Sequence, residues 1–182
     1  MLNTNLDLNI SDYATVNFNA LTTIIDDLGG LDMDMSYAEI VHMNNYCVET
    51  AEETEKDYTP IELPEEPEDI EKIQYTYHLN GVQAVAYARI RKTSGNDFRR
   101  AARQREVIYK IVEKAKNLYP QKNIWVYSGY VFEELHTGGK MNTPFVDKIL
   151  KNIDILVDGE FVEEKKNITL KFRGSENQRI IN

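Results

Sequence analysis

Arginine is concentrated in one short stretch of this 182-residue chain. Residues 89–105 carry six arginines and one lysine against a single acid, Asp97, although the formal net charge of the chain is −9. The guanidinium group is a planar fork of N–H donors that suits phosphate oxygens. A cluster of this kind predicts a binding site for a phosphate or diphosphate, and the positive end of a helix dipole would add to the attraction.

The spacing of these residues predicts which side chains share a face. In a helix that begins near residue 98, Arg99 and Arg103 are four residues apart, and so are Arg100 and Gln104. Side chains at this spacing are neighbours on a helix surface. The helix is therefore expected to present two guanidinium groups, or a guanidinium and an amide, together.

Arg89 and Arg91 come from the end of the preceding predicted helix, so two segments can converge on one diphosphate. Two other interpretations stay open on spacing alone. The arginines can form a solvated basic face that pairs with the stretch 51–72, a predicted loop with ten acidic side chains and three prolines. A nucleic-acid surface is the third interpretation, but the negative net charge and the lack of interleaved aromatics beyond Phe98 argue against it.

The predicted elements that must position the arginines alternate between strands and helices. β-Branched and aromatic residues, or alternating apolar residues, predict strands at 13–18, 31–35 and 73–78. The predicted helices follow a cap at Asn19, span 82–90, and run from Phe98 to Leu118 after a cap at Asp97. This alternation predicts an α/β layered domain.

The motifs around the arginines resemble those of LytR–CpsA–Psr domains. They follow in the family's order as Ile25-Asp-Asp-Leu-Gly-Gly-Leu-Asp, Leu79-Asn-Gly, Ala84-Val-Ala-Tyr-Ala-Arg-Ile-Arg, Asp97-Phe-Arg-Arg and Arg103-Gln104. The resemblance covers residues 1–117 and implies part of a layered αβα domain that lacks its N-terminal half. It also implies a phosphotransferase that moves glycopolymers from undecaprenyl-pyrophosphate carriers to peptidoglycan, on the outer face of the bacterial membrane.

By that resemblance, Arg89, Arg91, Arg100 and Gln104 would hold the pyrophosphate, and an apolar tunnel would take the lipid. The resemblance assigns no catalytic residue. It implies Mg²⁺, whose acidic ligands belong to the upstream half, so we expect a phosphate clamp without a metal site and impaired or absent transfer. Arg99 stands where the family usually has glycine. Whether the chain is an active enzyme stays open.

From residue 118 the sequence resembles a different family, the activating protein of anaerobic ribonucleoside-triphosphate reductase, a radical S-adenosylmethionine enzyme. The resemblance is carried by Lys122-Asn-Ile-Trp-Val-Tyr-Ser-Gly-Tyr, Ile153-Asp-Ile-Leu-Val-Asp-Gly-Glu-Phe-Val and Arg173-Gly-Ser-Glu-Asn-Gln-Arg. It covers residues 118–182 and implies a small α/β fragment of a partial barrel, with strands predicted at 124–127, 153–157 and 168–172. Because Cys47 is the single cysteine, this chain alone cannot build an iron–sulfur cluster.

Three hypotheses follow. The chain is an envelope phosphotransferase fragment that binds a polyprenyl-pyrophosphate-linked glycopolymer, an activating-protein fragment that docks to the reductase, or a hybrid without activity. The chain as written has no signal peptide and no run of about 18 apolar residues, which predicts a cytoplasmic location. Incomplete sheets predict self-association, and the scattered positions of the three histidines predict no metal site.

Overall fold

A computed structural model describes residues 17–94 and 96–182 of the protein. The helices are α1 Phe18–Asp27, α2 Tyr37–Thr54, α3 Gly81–Arg89, α4 Asn96–Leu118, α5 Phe132–Leu135 and α6 Pro144–Asn152. The strands are β1 Leu31–Ser36, β2 Ile73–Leu79, β3 Trp125–Tyr127, β4 Ile155–Asp158 and β5 Arg179–Ile181. The result is a mixed α/β fold with two small sheets, and the predicted α/β class is therefore confirmed.

β1 and β2 form an antiparallel pair in which Leu31 lies opposite Leu79 and Met33 opposite Tyr77. Along β1 the apolar residues are buried and the intervening aspartates are exposed, which is the two-residue period of a strand with one covered face. The buried face joins α1, α2 and α3 in the main core, which includes Ile25 and Val85. Both strands were predicted within one or two residues.

α2 is the longest element that the sequence analysis missed. It begins at a capping box, in which the Ser36 side chain accepts from the Glu39 N–H and the Glu39 carboxylate accepts from the Ser36 N–H. Its buried positions Met43, Cys47 and Thr50 keep helical spacing. This stripe contains cysteine and threonine instead of large aliphatic residues, so its periodicity is weak in the sequence. Residues 51–54 belong to this helix, so the prediction of a loop from residue 51 is wrong at its start.

Two predicted helix starts are also corrected. Asn17, not Asn19, caps α1, because its Oδ1 accepts from the Ala20 N–H at 2.8 Å. Phe18 is therefore helical and not part of a strand, while residues 13–16 of the predicted strand 13–18 lie outside the described ranges. α4 begins at Asn96, which places Asp97 in its first turn.

Gly81 opens α3 against α1. A Cβ at this position would lie 2.1 Å from the backbone oxygen of Thr22, so only glycine lets the two helices approach this closely. The backbone N–H of Gly81 donates to Asp26 Oδ1 at 2.6 Å. The Asn80-Gly81 pair thus fixes α3, and with it the arginines that follow, on the core.

The chain after α4, residues 119–182, is called the C-terminal segment here. β4 is its central strand, parallel to β3 and antiparallel to β5. The strand predicted at 168–172 is wrong, since these residues form turns with Ile168 89% exposed, and β5 supplies the third strand instead. Assignment of this segment to a barrel fragment stays a prediction. α6 packs on α4 through Tyr109 and Phe145, whose ring centroids are 6.2 Å apart.

Candidate functional site

A cavity of about 690 Å³ lies between α1, α2, α3 and α4. All four predicted site residues, Arg89, Arg91, Arg100 and Gln104, line it. Six apolar residues also line it, namely Phe18, Leu21, Val85, Ala88, Val107 and Ile108. The cavity is therefore chemically divided between cationic and amide groups on one hand and an apolar lining on the other.

Arg89 is the last residue of α3 and is held by α2. Its Nη1 donates to Glu53 Oε2 at 2.7 Å and to Thr50 Oγ1 at 3.1 Å, while its Nη2 lies 3.0 Å from Glu49 Oε1. The guanidinium also lies 4.9 Å from the centroid of the Phe18 ring. A planar group between two carboxylates and an aromatic face is well oriented, and its side chain is only 18% exposed.

Arg100 and Gln104 lie one turn apart on α4, at the spacing that brings side chains onto one face. The Arg100 Nη1 is 3.4 Å from Asp97 Oδ1, a long contact. Its Nε is buried and has no hydrogen-bond partner in the part of the chain that the structure describes. A buried donor without a partner is costly, so this Nε marks a place where an acceptor from a ligand would be favourable.

Arg91 follows α3 in the connection to α4 and is exposed at the cavity. Within residues 17–94 and 96–182, its side chain forms no hydrogen bond or ion pair. Its guanidinium group is therefore available to a ligand, in contrast to that of Arg89.

Arg99 and Arg103 share a face, as predicted, but this face is turned into the protein. Arg103 is 0% exposed, and its Nη1 lies 2.9 Å from Glu39 Oε1. Arg99 Nη2 donates to the same oxygen at 3.0 Å. The interpretation as a solvated basic face is wrong for these residues, because Glu39 is buried and lies outside the acidic stretch 51–72. Among the arginines in the part of the chain that the structure describes, Arg89 alone pairs with that stretch, through Glu53.

A second carboxylate, Glu106, extends this buried network. Its Oε2 accepts from the Tyr87 hydroxyl at 3.0 Å. Burial raises the pKa of Glu106 above its usual range, although the hydrogen bond from Tyr87 and the charge of Arg99 act in the opposite direction. Burial likewise raises the pKa of Tyr87, so the hydroxyl is a permanent donor at neutral pH.

Sequence reasoning missed Glu39 and Glu49, the carboxylates that organise the arginines. The signal for Glu39 was present, because Ser36-Tyr-Ala-Glu39 has the spacing of a capping box. Glu49 left no such signal. Its role depends on α2 lying beside the end of α3, which is a tertiary contact.

The ranges that the structure describes contain no cluster of metal ligands. No three histidine, cysteine, aspartate or glutamate side chains come together there in a way that could hold a metal ion. Guanidinium and amide groups dominate the polar lining of the cavity, and its carboxylate, Glu49, already pairs with Arg89. Across residues 17–94 and 96–182, no helix combines the length and apolar character needed to cross a bilayer.

Four helices of this mixed α/β protein surround a cavity that Arg89, Arg91 and Arg100 line together with apolar residues. A model of the LytR_cpsA_psr family matches residues 1–175. Because this match covers nearly the whole chain, the protein belongs to the LytR–CpsA–Psr family, as the motifs predicted. The match extends past residue 117, and the predicted boundary at 117/118 stays a prediction.

Curated proteins also match part of the chain. The anaerobic ribonucleoside-triphosphate reductase-activating protein of Haemophilus influenzae is 36% identical over 75 residues, 41% of this chain and 44% of its own length. The corresponding Escherichia coli (strain K12) protein is 37% identical over 71 residues, 39% of this chain and 42% of its own length. The chain thus spans less than half the length of these relatives, and the predicted resemblance to them is confirmed.

Two solved structures are similar at a lower level. TagT bound to LIIa-WTA is 24% identical, with a TM-score of 0.37, over 55% of this chain and 32% of that chain. B. subtilis TagT is 24% identical, with a TM-score of 0.38, over 64% of this chain and 40% of that chain. Family membership rests on the family model and not on these structures.

Proposed function

We propose that the cavity binds the diphosphate and the first part of the lipid of a polyprenyl-pyrophosphate carrier, as part of glycopolymer transfer in the cell envelope. The observation that supports this is that Arg89, Arg91, Arg100 and Gln104 line the same cavity as six apolar residues. A ligand that is doubly anionic at one end and apolar beyond it matches both parts. A free nucleotide or sugar phosphate would leave the apolar lining exposed to water.

The charges near the cavity favour an anion of this size. Glu49 and Glu53 both pair with Arg89, and the exposed Asp97 makes a long contact of 3.4 Å with Arg100, whereas Arg91 pairs with no carboxylate of the described residues. Arg91 can then neutralise part of the charge of a diphosphate, Arg100 can exchange its long contact with the exposed Asp97 for the ligand, and the unpaired Nε of Arg100 offers a further donor. Arg89 contributes charge and shape through a guanidinium already oriented by α2, so little side-chain entropy is lost on binding.

In this function the residues of the chain hold and orient the pyrophosphate. Phosphoryl transfer depends mainly on positioning and on stabilising developing charge, and guanidinium groups supply both. The family resemblance implies Mg²⁺ and a location on the outer face of the membrane. No catalytic residue and no metal ligand is assigned, since no three histidine, cysteine or acidic side chains cluster among the described residues.

Binding of farnesyl diphosphate, a short carrier analogue, tests the proposal by isothermal titration calorimetry. Arg100→Ala should weaken binding by about ten- to a hundredfold, as expected for loss of a charge-assisted hydrogen bond. Lys110→Ala is the matched control, since it removes a cation from the same helix that does not line this cavity. Absence of binding by the unaltered protein, or equal losses in both variants, would overturn the proposal.

The similarity to activating proteins supports a second candidate, which is that part of the chain docks to the anaerobic ribonucleoside-triphosphate reductase. Its test is co-purification of the whole chain with that reductase, with and without residues 119–182. Retention that depends on these residues would support docking, and no retention would reject it.

A further inference from the structure

Arg103 joins three segments of the chain from a fully buried position. Its Nη1 donates to Glu39 Oε1 at the start of α2, at 2.9 Å, and to Thr93 Oγ1, at 3.1 Å. Its Nη2 donates to the backbone oxygen of Ile90 at 2.7 Å. The planar fork therefore ties α4 to α2 and to the connection between α3 and α4 at two points.

The two points in the connection flank Arg91. Ile90 precedes it directly and is 0% exposed, and Thr93 follows two residues later and is also buried. Arg91 itself is exposed and lines the cavity. A short segment held on both sides has few conformations left, so the position of the Arg91 guanidinium depends on the bonds made by Arg103.

The buried guanidinium of Arg103 also fixes the position of Arg91 relative to the other cavity residues. Arg103 precedes Gln104 in α4 and lies three residues after Arg100, so a shift of the connection relative to α4 would separate Arg91 from both. Through Glu39, Arg103 also contacts α2, whose Thr50 and Glu53 orient Arg89. The connection and α4 thus meet in one hydrogen-bond network with the start of α2, and the same helix orients Arg89 further along.

The desolvation cost of this buried ion pair suggests that its role is to position the segments and not to increase stability. Removing a carboxylate and a guanidinium from water is expensive, and apolar replacements of similar volume are often as stable or more stable. An apolar side chain at position 103 would fill space but could not direct hydrogen bonds to two chosen acceptors. Ser36 fixes Glu39 in turn through the capping box, so the whole network is preorganised.

We propose that Arg103, Glu39 and Thr93 are positioning residues that set the distance between Arg91 and the α4 residues Arg100 and Gln104, and so tune the cavity to a diphosphate over a single phosphate. This inference rests on the proposed function. A diphosphate spans two phosphate groups and needs both sides of the cavity at a fixed separation, whereas one phosphate is satisfied by either side. Loss of positioning therefore lowers diphosphate affinity more than monophosphate affinity.

The decisive variant is Thr93→Val, which is nearly isosteric and removes the hydroxyl that accepts a hydrogen bond from Arg103. It should weaken binding of inorganic pyrophosphate by about three- to tenfold, the range for loss of one hydrogen bond, and bring the affinities for pyrophosphate and phosphate closer together. Thr93→Ser keeps the hydroxyl and should restore the selectivity. Arg103→Lys keeps the charge but loses the fork, and should lose selectivity in the same way.

The control for stability alone is Asp158→Asn. Asp158 is a buried carboxylate that pairs with Arg179 in the C-terminal segment, away from the cavity. This variant should lower the melting temperature and leave pyrophosphate affinity and selectivity unchanged. If the unaltered protein binds pyrophosphate but Thr93→Val and Arg103→Lys match it in affinity and selectivity, the positioning role is rejected while the proposed function stands. If the unaltered protein binds no pyrophosphate, both are rejected.

Discussion

In residues 17–94 and 96–182, two buried carboxylates pair with arginine, one in the region up to the end of α4 and one in the C-terminal segment. Glu39 meets Arg103, and Asp158 meets Arg179, with Arg179 Nε 3.0 Å from Asp158 Oδ1. Each carboxylate also accepts a backbone N–H, from Ser36 and Phe132 respectively. The difference lies in the arginine, because Arg103 is fully buried while the Arg179 side chain is 46% exposed.

This difference separates two uses of the same pair. A fully buried guanidinium depends on protein acceptors. Arg103 Nη1 and Nη2 find them in Glu39 and in the connection that carries Arg91, while its Nε has no partner among the described residues. A half-exposed guanidinium is satisfied by water and by surface groups. Arg179 accordingly reaches the exposed carboxylate of Glu133 and closes the end of β5 against the sheet. The first pair shapes a cavity, and the second holds a strand.

The two regions also differ in what stabilises them. The region up to α4 has a continuous buried core of aliphatic residues, methionine and Tyr87. In the C-terminal segment, Leu135, Leu156 and Val157 are buried, whereas Tyr127 and Phe172 are at least 60% exposed. Polar contacts therefore carry a larger share of its stability, and the two regions should respond differently to substitution and to pH.

Arg103→Met should have the largest effect on stability. It removes the guanidinium but leaves Glu39 buried with Arg99 as its remaining cation, and leaving a charge buried with incomplete pairing costs about 3 kcal/mol. Urea unfolding followed by far-UV circular dichroism measures this loss. Asp158→Asn should cost less, because Arg179 can turn to water. Equal losses would mean that burial of the arginine is not what distinguishes the pairs.

The sequence predicted the elements with strong periodicity and failed where partners come from distant segments. β1, β2, α3 and α4 have clear apolar patterns, so their positions were predicted within a few residues. Arg89, Arg91, Arg100 and Gln104 line one cavity, and their binding of a pyrophosphate stays a prediction. The pairing of Arg99 and Arg103 with the buried Glu39 could not be predicted from their spacing. Spacing identifies a shared face but not whether a carboxylate such as Glu39 lies against it.

Acid should affect the C-terminal segment before the region up to α4. Hydrogen bonds from Arg179 lower the pKa of Glu133 from 4.5 to about 2. Burial alone would raise the pKa of Asp158, but Arg179 and the Phe132 N–H together hold it below 3.8. For groups with a lowered pKa in the folded state, the stabilisation is complete above the ordinary pKa and is lost as the pH falls toward the folded pKa. Between about pH 4.5 and 2 these contacts should therefore weaken.

Trp125, the single tryptophan, lies on β3 and reports this transition by fluorescence. Circular dichroism reports mainly the long helices α2 and α4, where Glu106 has a raised pKa and favours the protonated folded form. We expect the fluorescence change at higher pH than the loss of helix signal. Glu133→Gln should flatten the pH dependence of the fluorescence transition, because one fewer proton is taken up on unfolding. A single coincident transition in the unaltered protein would contradict the difference between the regions.

The smallest effect is expected at the contact between the regions, where Lys116 on α4 lies 2.6 Å from Asp154 before β4. Both side chains are partly exposed, and such ion pairs contribute little to stability. Asp154 also accepts from the Ile124 N–H and keeps that bond without the lysine. Lys116→Met should therefore leave the urea midpoint and the relation between the fluorescence and dichroism transitions nearly unchanged.

Phe145→Ala is the contrasting variant, because it removes the ring that packs on Tyr109 and lies 5.5 Å from Lys148 Nζ. If packing joins the regions, only this second variant moves the two transitions apart, whereas separation by Lys116→Met would show that the ion pair joins them.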